Sequence, residues 1–462
     1  MWKPDLGARS GPQYLRIVEA MADSISRGAL APGERLPPHR ELAYQLGVSA
    51  NTTSRAYAEA VRRGLLRGEV GRGTYVRGLE AQAPGDSANT LLRKCEGPID
   101  LSRNLPFPGF AEPHIRHVLG EISSGPALSA LLDYQNETDL GGHAEAGCAW
   151  LAQCGVPASP EEVVATVGAQ HALFIVLSGL LKRGDLLLTE SLTYMPVLAM
   201  AERLGLYTAQ VETDDGGILP ESVEALCKTA RPRALYLSPT LQAPTTITLP
   251  DERRVALAEI ALRHDLLLIE DDVFGPLKPD RPAPIATRAP EKTLYITSLS
   301  KAVAPGLRVG FVRAPARCAP ALRHAVNLTA WMAPPLTLEV ASRLIHGGTA
   351  STLAMQQRGL ATQRKALARA VLGDTTGRAD PSGLHLWLPL PEGMRADSFC
   401  LACARRDVLV TEARSFAVDA SRAPEAVRLC LSHEPNEARV EKGLSVIADL
   451  LREPSSVQPL SL

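Results

Sequence analysis

The sequence predicts a multidomain chain. A small α+β head and a linker precede a larger α/β body, which closes with a smaller α+β subdomain. Three observations carry this expectation. First, apolar strand-like runs alternate with helical ones. VVATV precedes AQHALFIVLSGLL, DLLLTE precedes TYMPVLAMAERLG, YTAQVE precedes ESVEALCKTA and RALYLSP precedes RRVALAEIALRHD. LLLIEDD, TLYITSLS and RVGFV then follow. Short, nearly all-apolar strands between helices mean a mostly parallel sheet buried on both faces. Second, residues 79–98, LEAQAPGDSANTLLRKCEGP, lack periodicity and carry Pro, Gly, Ser and Asn, as linkers do. Third, charge is divided unevenly. Residues 1–77 hold 12 Lys and Arg against 7 Asp and Glu, a net +5, so the remainder of a chain of net charge −1 carries −6. A basic end on an acidic body points to a nucleic-acid module joined to something else.

The head is expected over residues 1–78. A helix over 14–27 is followed by a turn at Pro32-Gly33, a helix opening at Pro38, a turn at Gly47 and a helix from Ser49 to about Arg63. Ser49 is a suitable N-cap. LLRGE, VGRG and TYV then read as a hairpin, which completes a winged helix-turn-helix. Its third helix would enter the major groove with Ser49, Asn51, Thr52, Thr53 and Arg55. Arg35 and Arg40 would reach phosphates, and Arg72 stands at the wing tip beside Gly73. The alternative is a helical bundle with surface arginines that binds nothing.

The body is expected over residues 99–455, the subdomain beginning near Pro315 and containing the strands LHLWLPL and VRLCLSH. Ligands in such sheets bind at the carboxyl ends of strands. There TSLSKAVAPGLRVGFV places Lys301, close to the end of LLLIEDD. A strand-end lysine near a strand-end aspartate is either a plain ion pair or the pair that pyridoxal phosphate requires. In the second case the Lys301 amine forms a Schiff base with the cofactor aldehyde, and Asp271 keeps the pyridine nitrogen protonated. Gly168, Ala169 and Gln170 open a helix whose free N–H groups suit a phosphate. Ser298, Ser300 and Arg308 add hydroxyls and a guanidinium fork, and Tyr194 could stack on the ring. Ser298 to Lys301 also spells S-x-x-K, but no S-D-N or K-T-G follows.

Of the 8 cysteines, Cys400 and Cys403 form a CxxC. It lacks a second pair or nearby histidines, and ADSFCLACARRDVLV reads as an amphipathic helix, so no metal is expected. The start, MWKPDLGARSG, has no apolar signal core, and a cytoplasmic protein with reduced thiols is expected.

"LAPGERLPPHRELAYQLGVS" and "GRGTYV" resemble the GntR family of bacterial regulators over residues 12–77. Ala50 departs from the arginine common in that family. "VGAQHAL", "YLSPTLQAPTT", "LLLIEDDVFGPL", "TSLSKAVAPGLRVGFV" and "VRLCLSH" resemble fold-type I aminotransferases over residues 100–452. Together the chain resembles MocR-type regulators. That resemblance implies Lys301 as the catalytic, cofactor-carrying lysine, Asp271 at the pyridine nitrogen and Arg308 near the phosphate. It further implies Arg428 as the carboxylate clamp for an amine or amino-acid effector, a homodimer, and Tyr134 reaching the partner's phosphate. Two departures stand out: Gln242-Ala243-Pro244 replaces QNP, and neither Val273 nor Phe274 is the usual tyrosine. These remove donors to the cofactor's phenolic oxygen and favour a regulator, binding operator DNA and sensing an effector or the cofactor itself, over the alternative of a working aminotransferase.

Overall fold

The computed structural model describes residues 4, 6, 11–26, 29–30, 33–62, 65–69, 73–76, 97–135 and 141–452. The chain divides into two compact units, Met1–Thr90 and Leu91–Leu462. Of the expected linker, only Gly97 and Pro98 are described.

In the first unit, α1 (Gln13–Ser26), α2 (His39–Leu46) and α3 (Ala50–Arg62) precede the hairpin of β1 (Leu66–Glu69) and β2 (Gly73–Val76). The helices lie within one or two residues of the expected boundaries. Ile17, Val18 and Met21 of α1 meet Leu42 of α2 and Ala56 and Ala60 of α3 in one core. Gly47 ends α2 in the left-handed region, at φ 65°, with its N–H returned to Ala43 and Tyr44. That is the stop a helix-turn-helix needs, and glycine takes it without a Cβ clash.

The second unit contains a seven-stranded sheet and a three-stranded one. Its strands in chain order are β3 (Ile99–Asp100), β4 (Val163–Thr166), β5 (Leu186–Glu190), β6 (Tyr207–Val211), β7 (Thr213–Asp214), β8 (Gly217–Ile218), β9 (Ala234–Leu237), β10 (Leu267–Asp271), β11 (Thr293–Ser298), β12 (Gly310–Arg313), β13 (His385–Pro389), β14 (Val408–Leu409), β15 (Thr411–Glu412) and β16 (Ala426–Cys430). The large sheet runs β4-β12-β11-β10-β9-β5-β6. Only β12, the RVGFV run, is antiparallel to its neighbours. The sheet is thus mostly parallel, as the alternation of strand and helix requires.

Both faces are covered. Tyr236, Ile269, Ile296 and Val312 pack with the helices Gly168–Leu180 and Ala319–Ala330. Leu235, Leu237 and Leu268 pack on the other face with the helices Pro220–Ala230 and Asp251–His264. This strict alternation decides which strand-end side chains share a site. The smaller sheet, β13-β16-β15, packs its apolar face on the helices Thr349–Leu372, Ala396–Arg405 and Glu437–Arg452. The LHLWLPL and VRLCLSH runs pair antiparallel, with Trp387 opposite Arg428.

Candidate functional site

Glu270 and Asp271 end β10 and Asp272 follows it, and the alternation of the chain separates the three. Glu270 and Asp272 turn to the face that carries arginines. Glu270 accepts hydrogen bonds from the N–H groups of Ile285 and Ala286 and lies 3.7 Å from the Arg254 guanidinium. Asp272 pairs with Arg281 at 2.9 Å and accepts from Tyr295 Oη at 2.7 Å. Asp271 follows Ile269 and Tyr236 to the opposite face. Its Oδ2 accepts from Tyr236 Oη at 2.9 Å, and its buried Oδ1 has no hydrogen-bond partner among the described residues. Burial pushes the Asp271 carboxyl up to about 6, against the Tyr236 hydrogen bond, which lowers it.

Lys301 lies just past the end of β11, the strand next to β10. Its Nζ donates to Asn104 O at 2.5 Å and sits 5.4 Å from the centre of the Phe274 ring. Desolvation first, and then the Arg428 charge, bring its amine down to about 8, opposed by Cys430 and Asp271. An amine with that pKa is a usable nucleophile near neutral pH, which an ordinary lysine is not.

Gly168 opens the Gly168–Leu180 helix at φ +79°, and a Cβ there would stand 2.9 Å from Arg308 Nη2. The Arg308 guanidinium is therefore laid against the first turn of the helix, with Nη2 donating to Val167 O at 3.1 Å. Ala169 and Gln170 continue that turn. His171 closes it, accepting from Val167 N at 3.1 Å on Nδ1, with Thr329 Oγ1 2.7 Å from Nε2. Ser298 is buried at the end of β11 and its Oγ accepts from Ser300 N at 3.4 Å. Tyr194, 38% exposed, precedes the Met195–Leu204 helix, its hydroxyl pushed up by burial and then by Asp271. Arg428 comes from β16: Nη2 donates to Ser102 O at 2.6 Å, the guanidinium stacks 4.6 Å over Phe416, and the buried Nε has no partner among the described residues. Tyr134 is 76% exposed, edge-on to Trp331 at 5.8 Å.

Sequence reading missed Tyr236, Asn104 and His385. Tyr236 was legible in principle, since β9 neighbours β10 and the alternation puts it on the Asp271 face. His385 and Asn104 meet across 281 positions, with Asn104 Nδ2 at 3.0 Å from His385 Nδ1, and no local signal joins them. Phe274 is buried, 5.8 Å from the His385 ring, and offers no donor. Of the two polar substitutes, Gln242 is committed elsewhere, while Thr240 keeps a hydroxyl proton to donate. Thr240 Oγ1 accepts from Arg254, while Gln242 Nε2 donates to Leu192 O at 2.6 Å and Gln242 Oε1 accepts from Thr245. Cys400 and Cys403 are free, and no cluster of three metal-ligating side chains occurs among the described residues. No described helix is long and apolar enough to cross a membrane.

In the head, Ser49 caps α3, accepting from Thr52 N at 3.2 Å, and its Oγ lies 2.8 Å from Thr52 Oγ1. Asn51, Arg40 and Arg35 are exposed. The Arg35 side chain lies against Gly73, where a Cβ would approach Nε to 2.9 Å. Arg55 is exposed with its guanidinium 4.1 Å over the Tyr14 ring. Thr53 does not face a groove. It is buried and donates to His39 O at 2.7 Å and Ala50 O at 3.0 Å, which ties α3 to α2. The correction follows from helical period: Thr53 shares the inward stripe with Ala56 and Ala60. Arg72 lies outside the described residues.

A nucleophilic amine, a carboxylate with a free oxygen, a helix N-terminus with a guanidinium beside it, and a second guanidinium beyond suit one kind of ligand pair. The first ligand has an aldehyde, a basic ring nitrogen and a phosphate; the second carries an amine and a carboxylate.

Known proteins bear the same stamp. Residues 121–447 match the model of aminotransferase class I and II, and residues 13–76 that of the gntR family of bacterial regulatory proteins. The HTH-type transcriptional regulator TauR of Rhodobacter capsulatus is 27% identical, covering 95% of this chain and 96% of its own. The vitamin B6 salvage pathway transcriptional repressor PtsJ of Salmonella typhimurium is 28% identical, with 87% and 91% covered. Among solved structures, an archaeal alanine:glyoxylate aminotransferase has the same fold, with a TM-score of 0.71 at 24% identity over 79% of this chain and 93% of that one. Kynurenine aminotransferase of Pyrococcus horikoshii has a TM-score of 0.70 at 23% identity, with 81% and 96% covered. The chain belongs to the aminotransferase class I and II family, with a gntR-family helix-turn-helix domain ahead of it.

Proposed function

We propose that this protein is a transcription regulator that binds operator DNA through its head and carries pyridoxal phosphate at Lys301, where an amine or amino-acid effector is read. The observation that carries the reading is the union, in one chain, of the gntR-type head with a site that has a low-pKa lysine and an unsatisfied Asp271 oxygen. Relatives matched over most of their length are named as regulators, among them TauR and PtsJ.

The residues fit the cofactor. Asp271 Oδ1 is buried without a partner, as a carboxylate awaiting a protonated ring nitrogen would be. The Gly168 turn leaves N–H groups free beside Arg308, and glycine there is required by the guanidinium packed on it. When bound, pyridoxal phosphate supplies an aldehyde that condenses reversibly with primary amines. The chain's own part is to hold and orient. Lys301 presents an amine, Asp271 fixes a proton at the ring nitrogen, and Arg308 with the helix N-terminus receives the phosphate. Arg428 receives the effector's carboxylate. Tyr194 would flank the ring, and Tyr134 with Trp331 would lie on the surface that a second copy covers. Phe274 and Ala243 would themselves offer the phenolic oxygen no donor, which favours sensing over turnover. The setting is the cytoplasm, where the operator is.

The test uses full-length protein. Borohydride should fix the cofactor on the peptide containing Lys301 and not in Lys301→Ala. Operator affinity, measured with and without a panel of amino acids, should change by about tenfold or more with the right one. Transamination at ordinary enzyme rates, with DNA affinity indifferent to every amine and to the cofactor, would establish the enzyme instead.

A further inference from the structure

Residues 99–107 pass Lys301 and Arg428 as a strap that bends at Ser102 and turns where Leu105 N donates to Arg103 O at 3.1 Å, and it is pinned at both ends. At its start β3 pairs in parallel with β14, Ile99 N donating to Asp407 O at 2.7 Å and Leu101 N to Leu409 O at 2.9 Å. At its end the buried Gln357 side chain accepts from Phe107 N at 2.8 Å and donates to Phe107 O at 2.9 Å. Between these anchors two main-chain carbonyls are held by the two cations of the site. Asn104 O accepts from Lys301 Nζ, and Ser102 O accepts from Arg428 Nη2. Ser432 Oγ donates to Leu105 O, Ser102 N donates to Asp100 Oδ1 at 2.9 Å, and the Asn104 side chain adds a further hold. Its Nδ2 can only donate, so His385 Nδ1 accepts and His385 Nε2–H donates to Gln242 O at 3.1 Å. His385 is completely buried and stays neutral in that tautomer.

From this geometry we propose that residues 102–106 are a latch: their carbonyls compete with a carboxylate-bearing ligand for Lys301 and Arg428, and occupation of the site frees them. The inference rests on the reading above and names its regulation. Arg428 shows how the competition goes. Its buried Nε is unsatisfied while its Nη2 is spent on a neutral carbonyl. A carboxylate laid on the Nε–Nη2 edge satisfies both, and an ionised acceptor in a bidentate pair outcompetes a single carbonyl oxygen. Ser102 O then loses its charged donor and keeps only Thr411 Oγ1 at 3.3 Å and Cys430 Sγ at 3.6 Å. An amine of Lys301 turned toward a ligand on the Asp271 side leaves Asn104 O in the same way. Neither released carbonyl keeps a charged partner, whereas the anchors at Leu101 and Phe107 stay. The strap also begins where the chain arrives from the head, at Ile99 after residues 79–98. Its release leaves the pairing of β3 with β14 to hold the segment to which the head is tethered.

Hydrogen exchange on the full-length protein tests the latch. With pyridoxal phosphate and L-alanine added, the amides of residues 102–105 should exchange about threefold faster or more, while those of Ile99, Leu101 and Phe107 hold their rates. The Lys301→Met, Arg428→Leu double variant should show the same faster exchange with nothing added. If that variant fails to fold, Arg428→Lys, which keeps the charge and loses the fork, reads the loss at Ser102. Unchanged exchange at 102–105 in a folded variant overturns the latch, whatever the cofactor does. Failure of pyridoxal phosphate to bind overturns the site reading instead, and the ligand-free variants still decide the latch.

Discussion

Tyr236 donates its hydroxyl to one oxygen of Asp271, from the neighbouring strand β9, and the other oxygen is buried with no hydrogen-bond partner among the described residues. The pair is an oriented carboxylate with one position open. Removing the hydroxyl in Tyr236→Phe lets the Asp271 pKa rise further, because that hydrogen bond is the largest of the influences that lower it, ahead of the Val273 N–H and Lys301. Pyridoxal phosphate affinity should fall by about 1 kcal/mol, near fivefold, as read by equilibrium dialysis, with little change in fold.

Asp271 also sets a stability that depends on pH. Its carboxyl stands at about 6 in the folded protein against 3.8 for the ordinary group. A raised carboxylate binds its proton more tightly when folded. Ionisation therefore opposes folding fully above pH 6 and not at all below 3.8. Asp271→Asn should stabilise the cofactor-free protein by about 1–2 kcal/mol at pH 7.5, allowing for the unpaired amide it creates, and should lose that gain near pH 4. Urea denaturation at the two pH values checks this.

Lys301 titrates in the opposite sense. Its amine stands at about 8 rather than 10.5, so the folded state holds fewer protons between those values and stability rises with pH across that window. Capture of Lys301 by an aldehyde and borohydride should rise with a midpoint near 8. Arg428→Leu removes a repelling charge and should move the midpoint up by about half a unit. Peptide mapping after pulse reduction at each pH gives the curve.

Gly168→Ala places a methyl on Arg308 and forces alanine to φ +79°. Loss of about 1–2 kcal/mol in stability and about tenfold in pyridoxal phosphate affinity should follow, because the phosphate cradle and its guanidinium move together. Thermal melts and dialysis separate the two effects.

Thr53 and Arg40 divide the head between folding and binding. Thr53→Val removes the one hydroxyl shared between the His39 and Ala50 carbonyls and should cost the head about 1–2 kcal/mol. Arg40→Ala should leave the melt unchanged and weaken operator binding by about 1 kcal/mol with a shallower dependence on salt. Melts of both variants, beside titrations with operator fragments at two salt concentrations, check the division.

The local pattern was enough for the head, for the succession of strands and helices in the body, and for the strand-end positions of Lys301 and Asp271. Each follows from short-range rules of period, capping and turn chemistry that act within about ten residues. The site needed more. That Asp271 turns to the Tyr236 face while Glu270 and Asp272 face arginines depended on the order of strands in the sheet and on which helices cover each side. That Thr53 is structural depended on α2 lying behind it. Asn104, His385 and Arg428 come from three segments whose approach is set by packing of the subdomain on the sheet, so no spacing in the sequence could announce the strap they hold. Local chemistry is written along the chain. Long-range coincidence of polar groups is decided only by the burial that brings their segments together.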